Sequence, residues 1–181
     1  MNALVCLAEG FEEVEAITPI DILRRAEIDV TVAGVGSEVV MSAHNIPITA
    51  DKKIEDCNES YDIIVLPGGM PGAANLSKDF EVIRRVINTA QTGWVCAICA
   101  APAVVLGNTG ILEGKDAVCY PGMEAAAPNI KFLKDERCVV SDNVITAQGP
   151  GVATEFALKI VECAISKDKS EELAKGFLAK I

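Results

Sequence analysis

The chain has 181 residues, half of them apolar and 23% charged, with a formal net charge of −10. That length suits one domain over residues 1–181 and buries enough surface to fold without a metal or a disulfide. Basic residues never run longer than a pair (Arg24-Arg25, Lys52-Lys53, Arg84-Arg85), so the concentrated basic face that nucleic acid or an anionic membrane requires is excluded.

The apolar run at Met1–Leu7 has no basic flank and is too short for a signal peptide, and no stretch reaches the length of a membrane span. The seven cysteines (Cys6, Cys57, Cys96, Cys99, Cys119, Cys138 and Cys163) are odd in number and mostly lie inside apolar runs. They read as reduced, buried thiols of a cytoplasmic protein.

In chain order, residues 3–7 read as a strand, 12–26 as a helix and 30–33 as a strand. Met41 and residues 46–49 suggest a small β ribbon, with Pro47 at its edge. A fully buried strand over 63–66 is closed by Pro67-Gly68-Gly69, and a helix over 80–90 sets Val82, Ile83, Val86 and Ile87 on one stripe. A strand over 95–98 leads into a helix over 101–106. Strands follow over 117–119, 138–140 and 144–146, the last two as a hairpin across Ser141-Asp142-Asn143, and then helices over 155–164 and 170–179. Strand–helix alternation with continuously apolar strands predicts a mostly parallel sheet covered on both faces.

In such sheets the functional site lies beyond the carboxyl ends of the strands. After Ile98 come Cys99-Ala100-Ala101-Pro102, the form of a nucleophile elbow: small residues leave room for a tight turn, and proline suits a first helical turn. The helix N-terminus is expected to favour the thiolate of Cys99; the other reading is a core cysteine near a strand end. Cys96 and Cys99 spell C-x-x-C, but Cys96 lies within the strand, so the two thiols should point apart, and a zinc site lacks a second pair. After Leu66, Gly68 and Gly69 leave backbone amides free to face a ligand, either as an oxyanion hole beside the thiol or as a plain turn.

Glu12 and Glu13 suit a helix start as complements of its dipole. Glu15 differs, because its helical neighbours Thr18, Pro19, Ile22 and Ala26 are an uncharged row. Pro19 also leaves the Glu15 carbonyl without its helical partner and kinks the helix, unless the helix begins at Thr18. A partly buried carboxyl there would hold its proton and donate to a neighbouring thiolate. The single histidine, His44, falls in the ribbon and reads as solvated, so any base must be a carboxylate.

The ordered set Glu12-Glu13-Val14-Glu15, Asp21-Ile22-Leu23-Arg24-Arg25-Ala26, Val65-Leu66-Pro67-Gly68-Gly69, Ala97-Ile98-Cys99-Ala100-Ala101-Pro102 and Gly149-Pro150-Gly151 with Glu155-Phe156-Ala157-Leu158 resembles the ThiJ/PfpI superfamily, in its parkinsonism-associated (DJ-one-like) subgroup. The resemblance implies a flavodoxin-like, three-layer α/β sandwich akin to class I glutamine amidotransferases. It also implies a homodimer, with the His44 ribbon and the Arg24-Arg25 helix near its interface. Cys99 would be the nucleophile beside protonated Glu15, with the amides of Gly69 and Ala100 as the oxyanion site and Gly68, Tyr120, Arg25 and His44 as candidate accessory residues. Neither metal nor organic cofactor is implied. Activities attached to the family are conversion of methylglyoxal to lactate and removal of glyoxal adducts; the alternative is a stress-responsive sensor or chaperone that oxidises Cys99 to sulfinate. Protease-like relatives carry histidine where Ala100 stands, related amidotransferases need a late histidine, and many subgroup members place one where Tyr120 precedes Pro121. Those departures count against peptidase and amidotransferase activity and leave proton transfer to Glu15.

Overall fold

The computed structural model describes residues 1–180. Its strands are β1 (Asn2–Leu7), β2 (Asp29–Gly34), β3 (Val39–Met41), β4 (Pro47–Thr49), β5 (Lys52–Lys53), β6 (Ile63–Leu66), β7 (Trp94–Ile98), β8 (Cys138–Ser141) and β9 (Val144–Ala147). Its helices are α1 (Glu13–Arg25), α2 (Gly72–Lys78), α3 (Phe80–Thr92), α4 (Ala101–Val104), α5 (Ala153–Ala164) and α6 (Lys167–Gly176). Seven strands form one sheet in the order β5-β2-β1-β6-β7-β9-β8, and β3 and β4 form the separate ribbon. Every pairing in the large sheet is parallel except the β8–β9 hairpin.

The central strands are buried on both faces, because helices cover both: β6 and β9 are buried throughout, and β1 and β7 at all but their first residue. Helices α1, α5 and α6 pack together as one layer, and α2, α3 and α4 as the other. This is the three-layer, flavodoxin-like α/β fold, and it leaves β1, β6 and β7 ending side by side.

Helix α1 starts at Glu13 rather than Thr18 and runs through Pro19 to Arg25. On α3 the buried residues are Val82, Arg85, Val86 and Thr89, while Ile87 is exposed. Spacings of three, four and seven define the inward stripe of a 3.6-residue helix, and Ile87 falls off it. The strand expected over 117–119 does not form; only Ala117 makes a bridge, to Phe132. Both edges of β9 are already taken by β7 and β8, so no ladder is open to that segment. The Val118 N–H donates instead to Thr146 Oγ1 at 3.0 Å. Helix α4 stops at Val104, and a 3₁₀ turn at Leu106–Asn108 replaces the rest of the expected helix.

Candidate active site

At the end of β7 the chain turns sharply. Cys99 has φ of 65°, in the left-handed region that residues bearing a Cβ avoid. Backbone bonds hold it there: its N–H donates to the Ala147 carbonyl at 2.9 Å, and its carbonyl accepts from Tyr120 N–H at 2.7 Å. The turn brings the thiol to the backbone amides of Gly69 and Ala100.

Glu15 reaches the same place from α1 and is wholly buried. Its Oε2 accepts the Gly68 N–H at 2.9 Å. Its Oε1 has no N–H or O–H partner, and the group that faces the carboxyl is the Cys99 thiol. Gly68 fills the gap between the two. A Cβ there would stand 2.7 Å from Cys99 Cβ, 2.8 Å from Glu15 Oε2 and 2.9 Å from the Ala100 nitrogen. Gly69, at φ 83°, leaves no room for a Cβ either, since one would lie 2.4 Å from the Glu12 nitrogen. Five residues thus converge: Glu15, Gly68, Gly69, Cys99 and Ala100.

Burial pushes the Glu15 carboxyl up to about 7, against the lowering pull of Cys99 and the Gly68 N–H and with some help from the Glu12 charge. Burial also pushes the Cys99 thiol up to about 12; repulsion from ionised Glu15 adds to this, and the Gly69 and Ala100 amides oppose it. Burial thus opposes the preference for thiolate expected from the helix N-terminus, and helix α4, with only four residues, adds few peptide dipoles to that preference. The two groups titrate as a pair: when Glu15 keeps its proton, the repulsion on sulfur disappears and the carboxyl becomes a donor.

Stability should register this buried carboxyl. Folded Glu15 holds its proton more tightly than unfolded Glu15, so its contribution is fully present below the ordinary carboxylate value near 4.5. That contribution should decline as pH rises to about 7, by about 3 kcal/mol in all, and stay flat above. Urea unfolding of wild type and Glu15→Gln at pH 5 and pH 8 checks this. The variant should gain on wild type at the higher pH, and an unchanged gap would rule it out.

His44 is exposed but not free. Its Nδ1 lies 2.8 Å from Glu13 Oε1 and 3.8 Å from Glu12 Oε2. Glu12 and Glu13 therefore do more than complement a dipole. The three donor atoms lie within 4.8 Å of one another, a spacing a divalent cation could span. The ribbon is strapped to the start of α1 by Gly10 N–H to the Met41 carbonyl and Ala43 N–H to the Phe11 carbonyl, both 2.8 Å. No hydrogen bond of His44 among the described residues reaches Cys99.

Arg25 does not belong to this constellation. It pairs with Asp21 at 3.0 Å and lies 5.5 Å from the centre of the Phe177 ring. It stands ten positions after Glu15 on α1, about 15 Å along the helix axis. Tyr120 does adjoin the elbow through its backbone, and its ring lies on Gly149. All seven cysteines are free. Burial pushes the Cys96 thiol up, with smaller contributions from Cys163 and Cys138 and none from Cys99; Cys163 and Cys138 are themselves partly exposed rather than buried. Sequence reasoning also missed the clamp on the elbow from Ala147 and Tyr120, residues 48 and 21 positions downstream of Cys99.

A parallel α/β sheet with a strained elbow cysteine beside a buried carboxyl and two facing amides defines a cysteine-centred, doubly covered α/β protein. The DJ-1/PfpI family model matches residues 1–163, and the chain belongs to that family. It is 41% identical to Protein dj-1beta of Drosophila melanogaster, across 98% of this chain and 96% of that protein. It is 37% identical to the glutathione-independent glyoxalase DJR-1.2 of Caenorhabditis elegans, across 96% and 94% respectively. The solved structure of oxidized Toxoplasma gondii DJ-1 superposes with a TM-score of 0.93 at 37% identity, covering 99% of both chains. No helix among the described residues is long and apolar enough to cross a membrane.

Proposed function

We propose that this chain is a cofactor-independent cysteine enzyme that converts reactive dicarbonyls of the α-oxoaldehyde type, or their early adducts, into 2-hydroxy acids. One observation carries the reading: a wholly buried carboxyl, pushed up to about 7, that faces the elbow thiol. A group poised near neutral pH serves equally as acid and base. The name of the nematode glyoxalase, a relative across nearly the whole chain, supports the same chemistry.

In this mechanism Cys99 sulfur adds to the aldehyde carbon, and the resulting oxygen, facing the Gly69 and Ala100 amides, takes up a proton to give a hemithioacetal. Ionised Glu15 then removes the hydrogen from that carbon and returns it to the former ketone carbon through an enediol. The product is a 2-hydroxy thioester, which water hydrolyses to free the acid and the thiol. One dicarbonyl and one water give one 2-hydroxy acid, with no external oxidant or reductant.

The second reading is a peroxide sensor, favoured by the oxidized state named for the Toxoplasma structure. There Glu15 and the same amides would hold a Cys99 sulfinate. Purified protein given methylglyoxal, without glutathione, should form lactate, and Cys99→Ala should form none. If wild type makes no lactate but peroxide still modifies Cys99 first among the thiols, the sensor reading replaces the enzyme.

A further inference from the structure

Helix α3 buries an arginine on the face where an apolar side chain would cost nothing. Arg85 is 4% exposed and Thr89, one turn later, 5%, while Ile87 of the same helix is turned to solvent. Arginine is seldom buried unless its charge and its N–H groups are answered, because taking a guanidinium out of water is costly. Here the answer is incomplete. Nη1 donates to the Glu81 carbonyl at 3.3 Å and to the Glu81 carboxylate, and Nη2 donates to the Cys57 carbonyl. A guanidinium carries five N–H groups, so two are uncommitted; one of them, at Nε, is buried with no partner among the described residues.

Both buried side chains line a cavity of about 150 Å³ between α3 and the loop that leads into β6. Asn88, Thr89 and Thr92 stand three, four and seven positions after Arg85, so the helix turns one continuous polar face toward it, and Ser60 lines the cavity from the loop. Ser60, Asn88 and Thr92 are exposed and form the rim; Arg85 and Thr89 form the floor. The charges do not balance. Glu59 is answered by Lys52 at 3.0 Å, but Arg84 and Arg85 share the single carboxylate of Glu81. A positive charge is left over at the floor of the cavity, in a chain whose net charge is −10. Hydroxyl and amide donors around an under-neutralised guanidinium suit an oxygen-rich anion. The cavity belongs to a different part of the fold from the elbow: it opens at the amino end of β6, whereas Gly68 and Gly69 follow the carboxyl end, and the four residues of the strand, about 13 Å, lie between.

We propose that this cavity is a second binding site, separate from the elbow, that takes a phosphate group against Arg85 and Thr89. A cavity of this size holds a molecule as large as benzene, so the phosphate fits inside and any organic remainder passes out over the exposed rim. The test is calorimetric titration of wild type, Thr89→Val and Arg85→Lys with inorganic phosphate and with phenyl phosphate, at an ionic strength fixed with chloride. Wild type should bind one phosphate per chain. Thr89→Val keeps the shape and removes one hydroxyl, and should weaken binding roughly tenfold, the size expected for a lost hydrogen bond to a charged group. Arg85→Lys keeps the charge but loses the planar fork, and should weaken it at least as much; if that variant does not fold, Thr89→Val decides alone. Tighter binding of phenyl phosphate would mark an organic phosphate as the ligand, and tighter binding of inorganic phosphate the free ion. No heat of binding in wild type at millimolar phosphate overturns the proposal. So does equal binding by wild type and Thr89→Val, which would place the phosphate elsewhere on the surface.

Discussion

Glu15→Gln is expected to fold normally and to lose dicarbonyl turnover by roughly 10²–10⁴-fold, the usual cost of removing general acid–base catalysis. Glutamine fills the same volume, and its carbonyl oxygen can still accept the Gly68 N–H that Oε2 accepts now. Its amide can donate to sulfur, so the thiolate keeps a partner. What it cannot do is carry a proton from one carbon to the next. Lactate formation and Cys99 alkylation should therefore separate, the first collapsing while the second persists. Glu12→Gln is an informative companion, because the Glu12 charge helps to hold the Glu15 proton. Removing it should move the pH profile of turnover toward acid without abolishing activity. Near-full turnover in Glu15→Gln would refute the assigned role.

Gly68→Ala should do comparable damage with one methyl group. The new Cβ would sit within 3.0 Å of the Cys99 Cβ, a Glu15 oxygen and the Ala100 nitrogen together. Two of these belong to the elbow, which is fixed by its bonds to Ala147 and Tyr120 and cannot yield cheaply. The carboxyl or the elbow must shift, and a misplacement on the order of 1 Å costs about 100-fold in rate. Overpacking should add a loss of about 1–3 kcal/mol in stability. Gly151→Ala, where a Cβ meets nothing within 4 Å, is the matched control. Turnover within a few-fold of wild type in Gly68→Ala would show that the carboxyl and the thiol need not be held this closely.

Much of the sheet was legible in the sequence because buried parallel strands leave unbroken apolar runs, as at Ile63–Leu66. Helix α2 was not, since Gly72–Lys78 buries only Gly72, Ala73 and Leu76 and shows no apolar period. The two-residue β5 was equally silent: Lys52 and Lys53 look like a solvated pair, and only their pairing with Ala33 and Gly34 makes them a strand. At the site, Cys99 and Glu15 could be singled out by local pattern, the one at a strand end and the other in an uncharged helical row. His44 could not be connected to Glu12 and Glu13, because that contact depends on how the ribbon docks, across 31 residues of chain to Glu13. The burial of Cys99 was hidden for a similar reason. A helix start can be seen in sequence, but the burial that opposes it is a property of the packed fold.

The left-handed backbone at Cys99 and the buried carboxyl at Glu15 share a bias. Glycine would relieve the first, by about 1 kcal/mol, and an amide or apolar residue would relieve the second above neutral pH. A library of this protein screened only for survival of heating would therefore enrich variants that have lost their two reacting groups. Hardiness and chemistry pull on the same two positions in opposite directions, so any directed evolution of this scaffold must select for both at once.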